Sequence, residues 1–200
     1  MSRIDETLRT DRRQFLRAML AGGSLFALGL GALVPRLRAA ASTPTDVPGN
    51  VLLEIFSDDG RDLGAREVPR LVLTEAQWRE RLSAAAFYQM RYAATEQPFT
   101  GKYWNFHGSG IFRCAACATA LYDADTKFHS GTGWPSFYQP IARRNILESV
   151  DNSFGMSRTA VSCAGCNSHL GHVFNDGPPP TGLRYCMNSP ALRFVAHATA

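Results

Sequence analysis

The chain has 200 residues, a length that fits one domain or one domain with an appendage. Hydrophobic residues make up 45% and charged residues 19%, which excludes a disordered or fibrous protein. The net charge of +4 comes from residues 1–41, which hold seven arginines and three acidic residues, whereas the remaining residues carry fourteen charges of each sign. A body without a basic excess argues against a nucleic-acid-binding protein.

Residues 1–41 follow the order of an export signal. The stretch RRQFLR at residues 12–17 resembles the twin-arginine signature, and an apolar segment rich in Gly and Ala follows over residues 18–34. Three alanines at residues 39–41 suit a signal peptidase, and the apolar run is at the short end for a membrane span. An amphipathic surface helix is the plainer alternative, but four glycines leave it no polar face. The sequence predicts that residues 1–41 are a twin-arginine signal peptide, which directs the protein through the twin-arginine export machinery to the periplasm. If the signal stays uncleaved, this segment would anchor the protein in the inner membrane.

Residues 42–67 are predicted to form a linker and a small N-terminal hairpin. Ser42–Asn50 is punctuated by prolines, and Val51–Phe56 is apolar and β-prone. A turn signal follows at Ser57–Gly60, which is typical of a hairpin. Val68–Leu73 is predicted to form a further short strand.

A helical segment is predicted after this strand. Thr74-Glu75-Ala76-Gln77 has the pattern of a capping box, in which Thr74 caps the helix and Gln77 reaches back. Trp78, Leu82 and Phe87 are expected to form the buried side of one or two short helices over residues 75–93.

The remainder of the chain has a β pattern, because short β-prone pieces alternate with Gly, Pro and Asn. No amphipathic helix of ten residues stands out after about residue 95. We therefore expect residues 68–200 to form one mainly β domain with short N-terminal helices. The predicted strands are Gly110–Arg113, Ser157–Ser162, Gly171–Phe174, Leu183–Asn188 and Leu192–Val195.

Four of the five cysteines form two CxxC pairs, Cys114 with Cys117 and Cys163 with Cys166. Two such pairs in one domain are typical of a structural zinc site with four thiolate ligands. Forty-five residues separate the pairs, so a Zn²⁺ ion would clamp two distant hairpins. Two disulfides, natural in an exported protein, are one alternative, and a redox-active CxxC is another.

The fifth cysteine, Cys186, lies in the predicted strand Leu183–Asn188. The two-residue period of a strand places Arg184, Cys186 and Asn188 on one face and the residues between them on the other. An arginine beside a thiol favours the reactive thiolate. A buried, inert cysteine is the plainer alternative.

Together these pieces resemble the B class of methionine sulfoxide reductases, which acts on the R epimer at sulfur. The resemblance runs from about residue 68 to 195 and implies a zinc-braced fold of antiparallel sheets in a tent-like or barrel-like body with N-terminal helices. The stretches that carry it are Glu96–Gly101, Cys114–Cys117, Ser130–Phe137, Cys163–Cys166, His169–Gly177 and Arg184–Ser189.

The resemblance implies that Cys186 is the nucleophile. A sulfoxide has an electrophilic sulfur and a basic oxygen, so its reduction needs a thiolate, a proton donor and a pocket for the S-methyl group. Arg184 is expected to keep the thiolate charged, and His172 is the first candidate acid because histidine titrates near neutral pH. The attack gives methionine and a sulfenic acid on Cys186.

The other site residues have supporting roles in this interpretation. His169 and Asp176 are expected to orient the acid or to hydrogen-bond the sulfoxide oxygen. Asn188 would fix an imidazole or a water, and Trp134 would form a flat wall for the S-methyl group, with Phe174 as a second candidate. Each role has a plainer alternative. The histidines could be core residues or a metal-binding HxxH pair, and Trp134 could simply pack in the core. Arg184 could form a surface ion pair, and Asp176 could serve only in a turn.

One departure from the family concerns the second half-reaction. Many members carry a resolving cysteine within the SGxGWPSF stretch, and here that position is Thr132. We therefore predict a one-cysteine enzyme whose sulfenic acid is resolved by an external thiol, such as a periplasmic thioredoxin-like protein. The expected substrates are oxidised proteins and peptides, and the chain is expected to be a monomer that binds no nucleic acid. A zinc-braced binding module without chemistry and a disulfide oxidoreductase are the rival functions.

Overall fold

A computed structural model describes residues 47–197 of the chain. Within this range the chain forms eleven strands and two α-helices, which confirms the prediction of a mainly β domain with short N-terminal helices. The predicted signal peptide lies outside the described residues. No helix among residues 47–197 is long and apolar enough to cross a membrane.

The strands form three antiparallel sheets. In chain order they are β1 (Asn50–Phe56), β2 (Asp62–Pro69), β3 (Gly110–Cys114), β4 (Ala120–Asp123), β5 (Lys127–Phe128), β6 (Ser136–Phe137), β7 (Ile146–Asp151), β8 (Arg158–Cys163), β9 (His169–Phe174), β10 (Arg184–Met187) and β11 (Leu192–Ala196). The small sheet pairs β1 with β2, the second sheet has the order β11-β3-β4, and the large sheet has the order β5-β6-β10-β9-β8-β7.

The two helices, α1 (Glu75–Arg81) and α2 (Ala84–Tyr92), confirm the predicted helical segment. The capping box is present, because the Thr74 hydroxyl accepts a hydrogen bond from the Gln77 backbone and the Gln77 side chain accepts one from the Thr74 backbone. The three apolar side chains predicted to face the core, Trp78, Leu82 and Phe87, are buried.

The N-terminal hairpin of β1 and β2 packs against the rest of the domain. Leu53 is 4% exposed, and the side chain of Asn145 binds both the backbone N–H and the carbonyl of Glu54 at 2.8 Å. The guanidinium of Arg113 donates to the carbonyl of Phe56 at 2.8 Å. These contacts make the hairpin part of the folded body.

The predicted strand at residues 68–73 is wrong in its bounds. The second strand of the hairpin is β2, which begins earlier and ends at Pro69, because Pro69 pairs with Asn50 and β1 begins there. Beyond that point no partner strand continues, and the backbone N–H of Leu71 turns to the carbonyl of Gly165 at 2.9 Å.

The core fixes which face of β10 is presented outward. Tyr185 and Met187 are at most 1% exposed and point into the core, where the hydroxyl of Tyr122 donates to the Met187 sulfur at 3.1 Å. The ring of Tyr122 in turn stacks on Phe137 with 4.4 Å between the ring centroids. Because side chains alternate along a strand, Cys186 faces away from this core.

Candidate active site

Cys186 lies at the centre of a row of three side chains across the large sheet. Ser136 on β6 and His172 on β9 are its direct partners on the two neighbouring strands. Residues directly opposite each other in an antiparallel pair have their side chains on the same face, with Cβ atoms about 5 Å apart. The structure therefore brings the predicted nucleophile and the predicted acid together.

The neighbouring row carries Arg184, which pairs with Phe174. Its guanidinium carbon lies 4.4 Å from the centroid of the Phe174 ring, and it binds Asp176 through two hydrogen bonds of 2.9 Å. This bidentate contact lowers the pKa of Asp176. The described contacts thus place Asp176 against the arginine, whereas the sequence predicts it beside a histidine or the sulfoxide oxygen. The reason is that Asp176 follows the end of β9, next to the row that holds Arg184.

The electrostatic environment of Cys186 is mixed. Burial raises the pKa of its thiol above the usual range, while the charge of Arg184 and hydrogen bonds with the hydroxyls of Thr132 and Ser136 lower it. The expected influence of the arginine is present, but desolvation outweighs it. The resting sulfur is therefore mainly a thiol, and the arginine limits the cost of forming the thiolate.

A small cluster of hydroxyl groups adjoins the sulfur. The Ser130 hydroxyl lies 2.8 Å from that of Thr132 and also accepts a hydrogen bond of 2.8 Å from Ser136. Ser136 also contacts the carbonyl of Trp134 at 3.2 Å. The side chain at position 132 is thus within hydrogen-bonding reach of Cys186, at the position where many relatives are expected to carry a second thiol.

His172 has a carboxylate partner that the sequence did not reveal. Its Nε2 atom lies 2.8 Å from Oδ2 of Asp151 at the end of β7, and the same oxygen accepts a bond of 2.7 Å from Arg158. Burial lowers the pKa of His172, and the hydrogen bond with Asp151 opposes that shift. In the sequence, the only indication of this contact is the pair of opposite charges, Asp151 and Arg158, on either side of one turn.

His169 is the more deeply placed histidine. It is 5% exposed, and its ring centroid lies 5.2 Å from that of His172. Burial lowers the pKa of His169 to about 4, so the ring is neutral near pH 7. Its Nε2 atom is buried and has no hydrogen-bond partner within the described part of the chain. A neutral ring in this position can pack against His172 but cannot supply a proton.

Trp134 is held by the loop that follows the helices. Its indole N–H donates to the carbonyl of Glu96 at 3.1 Å. The carboxylate of Glu96 in turn accepts a hydrogen bond of 2.7 Å from the backbone of Ser189. Burial raises the pKa of Glu96. Glu96 thus connects the predicted aromatic wall to the segment after the nucleophile, a role that sequence reasoning missed.

The hydrogen bond from Asn188 to an imidazole, one of the two roles predicted for it, is absent among the described residues. The Asn188 side chain accepts from the backbone of Glu96 at 3.1 Å and donates to the carbonyl of Leu170 at 3.3 Å. Its backbone is still extended, with φ −81° and ψ 130°, but backbone groups of the surrounding chain occupy both ends of its side-chain amide. Asn188 therefore links the loop at Glu96 to β9 and makes no hydrogen bond with either imidazole.

The four paired cysteines converge, as predicted. Their sulfur atoms all lie within 4.8 Å of one another, and none of the four forms a disulfide. Cys114 ends β3 in the three-stranded sheet, whereas Cys163 ends β8 in the large sheet. The cluster therefore joins two sheets of the domain.

The two cysteine turns have the same local structure. Ala118 and Asn167 each follow a pair in the left-handed region, with φ angles of 63° and 54°. Their backbone N–H groups donate to the carbonyls of Cys114 and Cys163 at 2.9 and 2.8 Å. A set of four sulfur atoms in two such turns, three of them on buried residues, fits the tetrahedral preference of Zn²⁺.

Hydroxyl groups next to the sulfur atoms strengthen this fit. The Thr119 hydroxyl lies 3.1 Å from the sulfur of Cys117, and the Ser168 hydroxyl lies 3.3 Å from that of Cys166. Hydrogen bonds to coordinating thiolates are typical of metal sites. A side chain at Gly165 would place its Cβ 2.4 Å from the Thr119 hydroxyl, so glycine there leaves room for the hydroxyl beside Cys117.

Comparison with known proteins assigns the family. The SelR domain profile matches residues 82–196, a segment that contains both cysteine pairs and every residue described around Cys186. The chain belongs to the SelR domain family. This assignment confirms the family resemblance predicted from the sequence, and the SelR domain of this chain includes the Asp151–His172 contact.

Proteins of high identity carry a consistent name. "Peptide methionine sulfoxide reductase MsrB" of Herminiimonas arsenicoxydans is 51% identical over 64% of this chain and 93% of its own length. The protein of the same name from Thiobacillus denitrificans is 54% identical over 60% of this chain and 92% of its own length. "Peptide methionine sulfoxide reductase B1, chloroplastic" of Arabidopsis thaliana is 52% identical over 62% of this chain and 61% of its own length.

Proposed function

We propose that this SelR domain reduces the R epimer of methionine sulfoxide in oxidised proteins and peptides. The observation that carries the proposal is the placement of the partly buried Cys186 directly opposite His172 and on the same strand face as Arg184, while its strand neighbours fill the core. The names of the relatives support the same activity. A module that only binds has no need of a thiol in this setting.

In the first half-reaction the Cys186 thiolate attacks the sulfoxide sulfur and the S–O bond breaks. The oxygen ends on Cys186 as a sulfenic acid, so the cysteine is oxidised by two electrons and the sulfoxide is reduced to the thioether. Arg184, held by Asp176, supplies the positive charge beside the attacking sulfur. His172 donates the proton to the oxygen as the S–O bond weakens.

The aromatic side chains divide the remaining work. The guanidinium of Arg184 covers one face of the Phe174 ring. The main role of Phe174 is therefore to support the guanidinium, and lining the pocket is its secondary role. Trp134, fixed through its indole N–H to Glu96, is the better wall for the S-methyl group. His169 packs against His172 and keeps that ring in place.

The four clustered cysteines are proposed to bind a structural Zn²⁺ ion. Bound zinc would clamp two of the sheets and would take no part in the reaction, because four sulfur ligands leave no open position. Both CxxC pairs would then be unable to exchange disulfides, which argues against the rival function as a disulfide oxidoreductase.

The second half-reaction is proposed to use an external thiol. Thr132 stands where a resolving cysteine is expected, and the four remaining cysteines form the metal cluster. An incoming thiol attacks the sulfenic sulfur and water leaves, so that Cys186 forms a mixed disulfide. A second thiol then reduces the mixed disulfide and releases the Cys186 thiol. With residues 1–41 acting as a twin-arginine signal peptide, the donor would be a thioredoxin-like protein of the periplasm.

A stereochemical assay tests the activity. Peptides containing (R)- or (S)-methionine sulfoxide are incubated with the zinc-loaded protein and dithiothreitol, and the methionine formed is measured by chromatography. We expect the R epimer to be consumed and the S epimer to remain at background. Consumption of both epimers at similar rates, or of neither, would contradict the proposal, and the second result would favour a binding module.

A further inference from the structure

We propose that Asp151 is a positioning residue that fixes the tautomer of His172 and stabilises its protonated form, with Arg158 as a counter-charge that limits this effect. The inference rests on the proposed function, because it concerns the group that protonates the sulfoxide oxygen. It adds two residues from the β7–β8 hairpin to a site whose other members lie on β6, β9, β10 and the loops beside them.

The geometry fixes where the imidazole holds its proton. A carboxylate can only accept, so the His172 nitrogen that lies 2.8 Å from Asp151 must be the donor. The proton of the neutral ring therefore resides on Nε2. When the ring gains a second proton it goes to Nδ1, and that proton is the one available for transfer to an acceptor.

The carboxylate is itself immobilised. One oxygen of Asp151 accepts from the backbone of Ser153 at 2.9 Å, and the other accepts from Arg158 and His172. Both partners of the ion pair are largely shielded, with 23% of the Arg158 side chain and 21% of the Asp151 side chain exposed. The register of β7 and β8 pairs Asp151 directly with Arg158, so the contact is built into the sheet.

The groups around His172 act on its charge in opposite directions. Burial and the charge of Arg158 lower its pKa, whereas the hydrogen bond and the charge of Asp151 raise it. His169 on the same strand is neutral near pH 7. Arg184 and the thiol of Cys186 lie on β10 and face the His172 ring. Asp151 is thus the one carboxylate within the described residues that contacts the ring.

The sign of the pH dependence follows from these contacts. The reactive form needs the imidazolium of His172 and the thiolate of Cys186 together. Because burial lowers the pKa of His172 and raises that of Cys186, the rate of the chemical step should rise with pH up to the pKa of His172 and level off above it. Loss of the Asp151 charge should move this break to lower pH and lower the plateau. Loss of the Arg158 charge should move it to higher pH and raise the plateau. A residue that merely supported the fold would not produce two shifts of opposite sign.

The test compares Asp151→Asn with Arg158→Gln in the full zinc-loaded chain. Nitrogen-15 NMR titration of the His172 ring gives its pKa and tautomer directly, and single-turnover rates with an (R)-methionine sulfoxide peptide give the pH profile. We expect Asp151→Asn to lower the pKa of His172 by about one unit, to mix its tautomers and to slow turnover about tenfold or more at neutral pH. Arg158→Gln should raise that pKa, and Asp151→Glu should restore much of the rate.

An unchanged tautomer and pKa in Asp151→Asn, or shifts of the same sign in both variants, would overturn the inference. The NMR readout is independent of turnover. A wild-type protein that reduces neither epimer but shows the coupled titration would therefore contradict the proposed function and leave the Asp151–His172 coupling intact.

Discussion

Replacement of Cys186 by serine is expected to lower the single-turnover rate with an (R)-methionine sulfoxide peptide by a factor on the order of 10³ or more. A serine hydroxyl has no accessible anionic form near neutral pH, and Arg184 cannot compensate for that difference. The rate is measured by quenched-flow chromatography of the methionine product, without added reductant.

Folding controls are available for this variant. Cys186 is only partly buried and lies outside the cysteine cluster, so Cys186→Ser should keep the metal content and the thermal unfolding midpoint of the wild type. A folded serine variant that retained more than about a tenth of the wild-type rate would show that another group is the nucleophile.

Loss of the metal ligands is expected to have the largest effect on stability. Cys163→Ser removes a fully buried sulfur of the proposed zinc site, which lies 3.4 Å from the sulfur of Cys117 on the other side of the cluster. Structural zinc contributes a large part of the folding free energy of small domains, so we expect a loss of at least about 3 kcal/mol. For a domain of this size the midpoint should fall by about 10 °C.

Metal analysis and thermal unfolding check this expectation. The wild type should bind one Zn²⁺ per chain, and a strong chelator should reproduce the effect of Cys163→Ser. Cys186→Ser is the matched control, because it removes a thiol that is not a ligand. A chelator that left the transition unchanged, or a mass that indicated two disulfides, would contradict the zinc site.

The sequence predicted the parts of this site that depend on local patterns. The two CxxC pairs, the capping box at Thr74 and the alternation of Tyr185, Cys186 and Met187 each involve neighbours within a few residues. Such features follow from turn geometry and strand periodicity alone, and the structure confirms them.

Sequence reasoning failed where a side chain interacts far along the chain. Asp151 reaches His172 across β8, and Glu96 reaches Trp134 from a loop that precedes it by 38 residues. No periodicity connects such pairs, because the order of strands in the sheet decides which side chains meet. Asn188 is a further example, because the backbone groups that occupy its side-chain amide, at Glu96 and Leu170, are distant from it in sequence.

The balance of charge at Cys186 also required the structure. The sequence indicated an arginine beside the thiol and hence a favoured thiolate. The structure adds the degree of burial, which raises the pKa of the thiol despite Arg184 and the nearby hydroxyls. The degree of burial depends on the packing of the whole sheet. The direction of its effect on the thiol pKa can be anticipated from the sequence, but its size relative to the effect of the arginine cannot.

We propose that Cys186 takes the sulfoxide oxygen and has no internal thiol to resolve it. The direct measurement is mass spectrometry of the protein after one equivalent of (R)-methionine sulfoxide peptide, with dimedone present to trap sulfenic acid. We expect one methionine formed per chain and one dimedone adduct, located at Cys186. Thr132→Cys is the positive control, because a thiol at position 132 lies beside Cys186 and should give an internal disulfide in place of the adduct. A wild-type protein that formed methionine but carried an internal disulfide, or an adduct at any other cysteine, would contradict this one-cysteine mechanism.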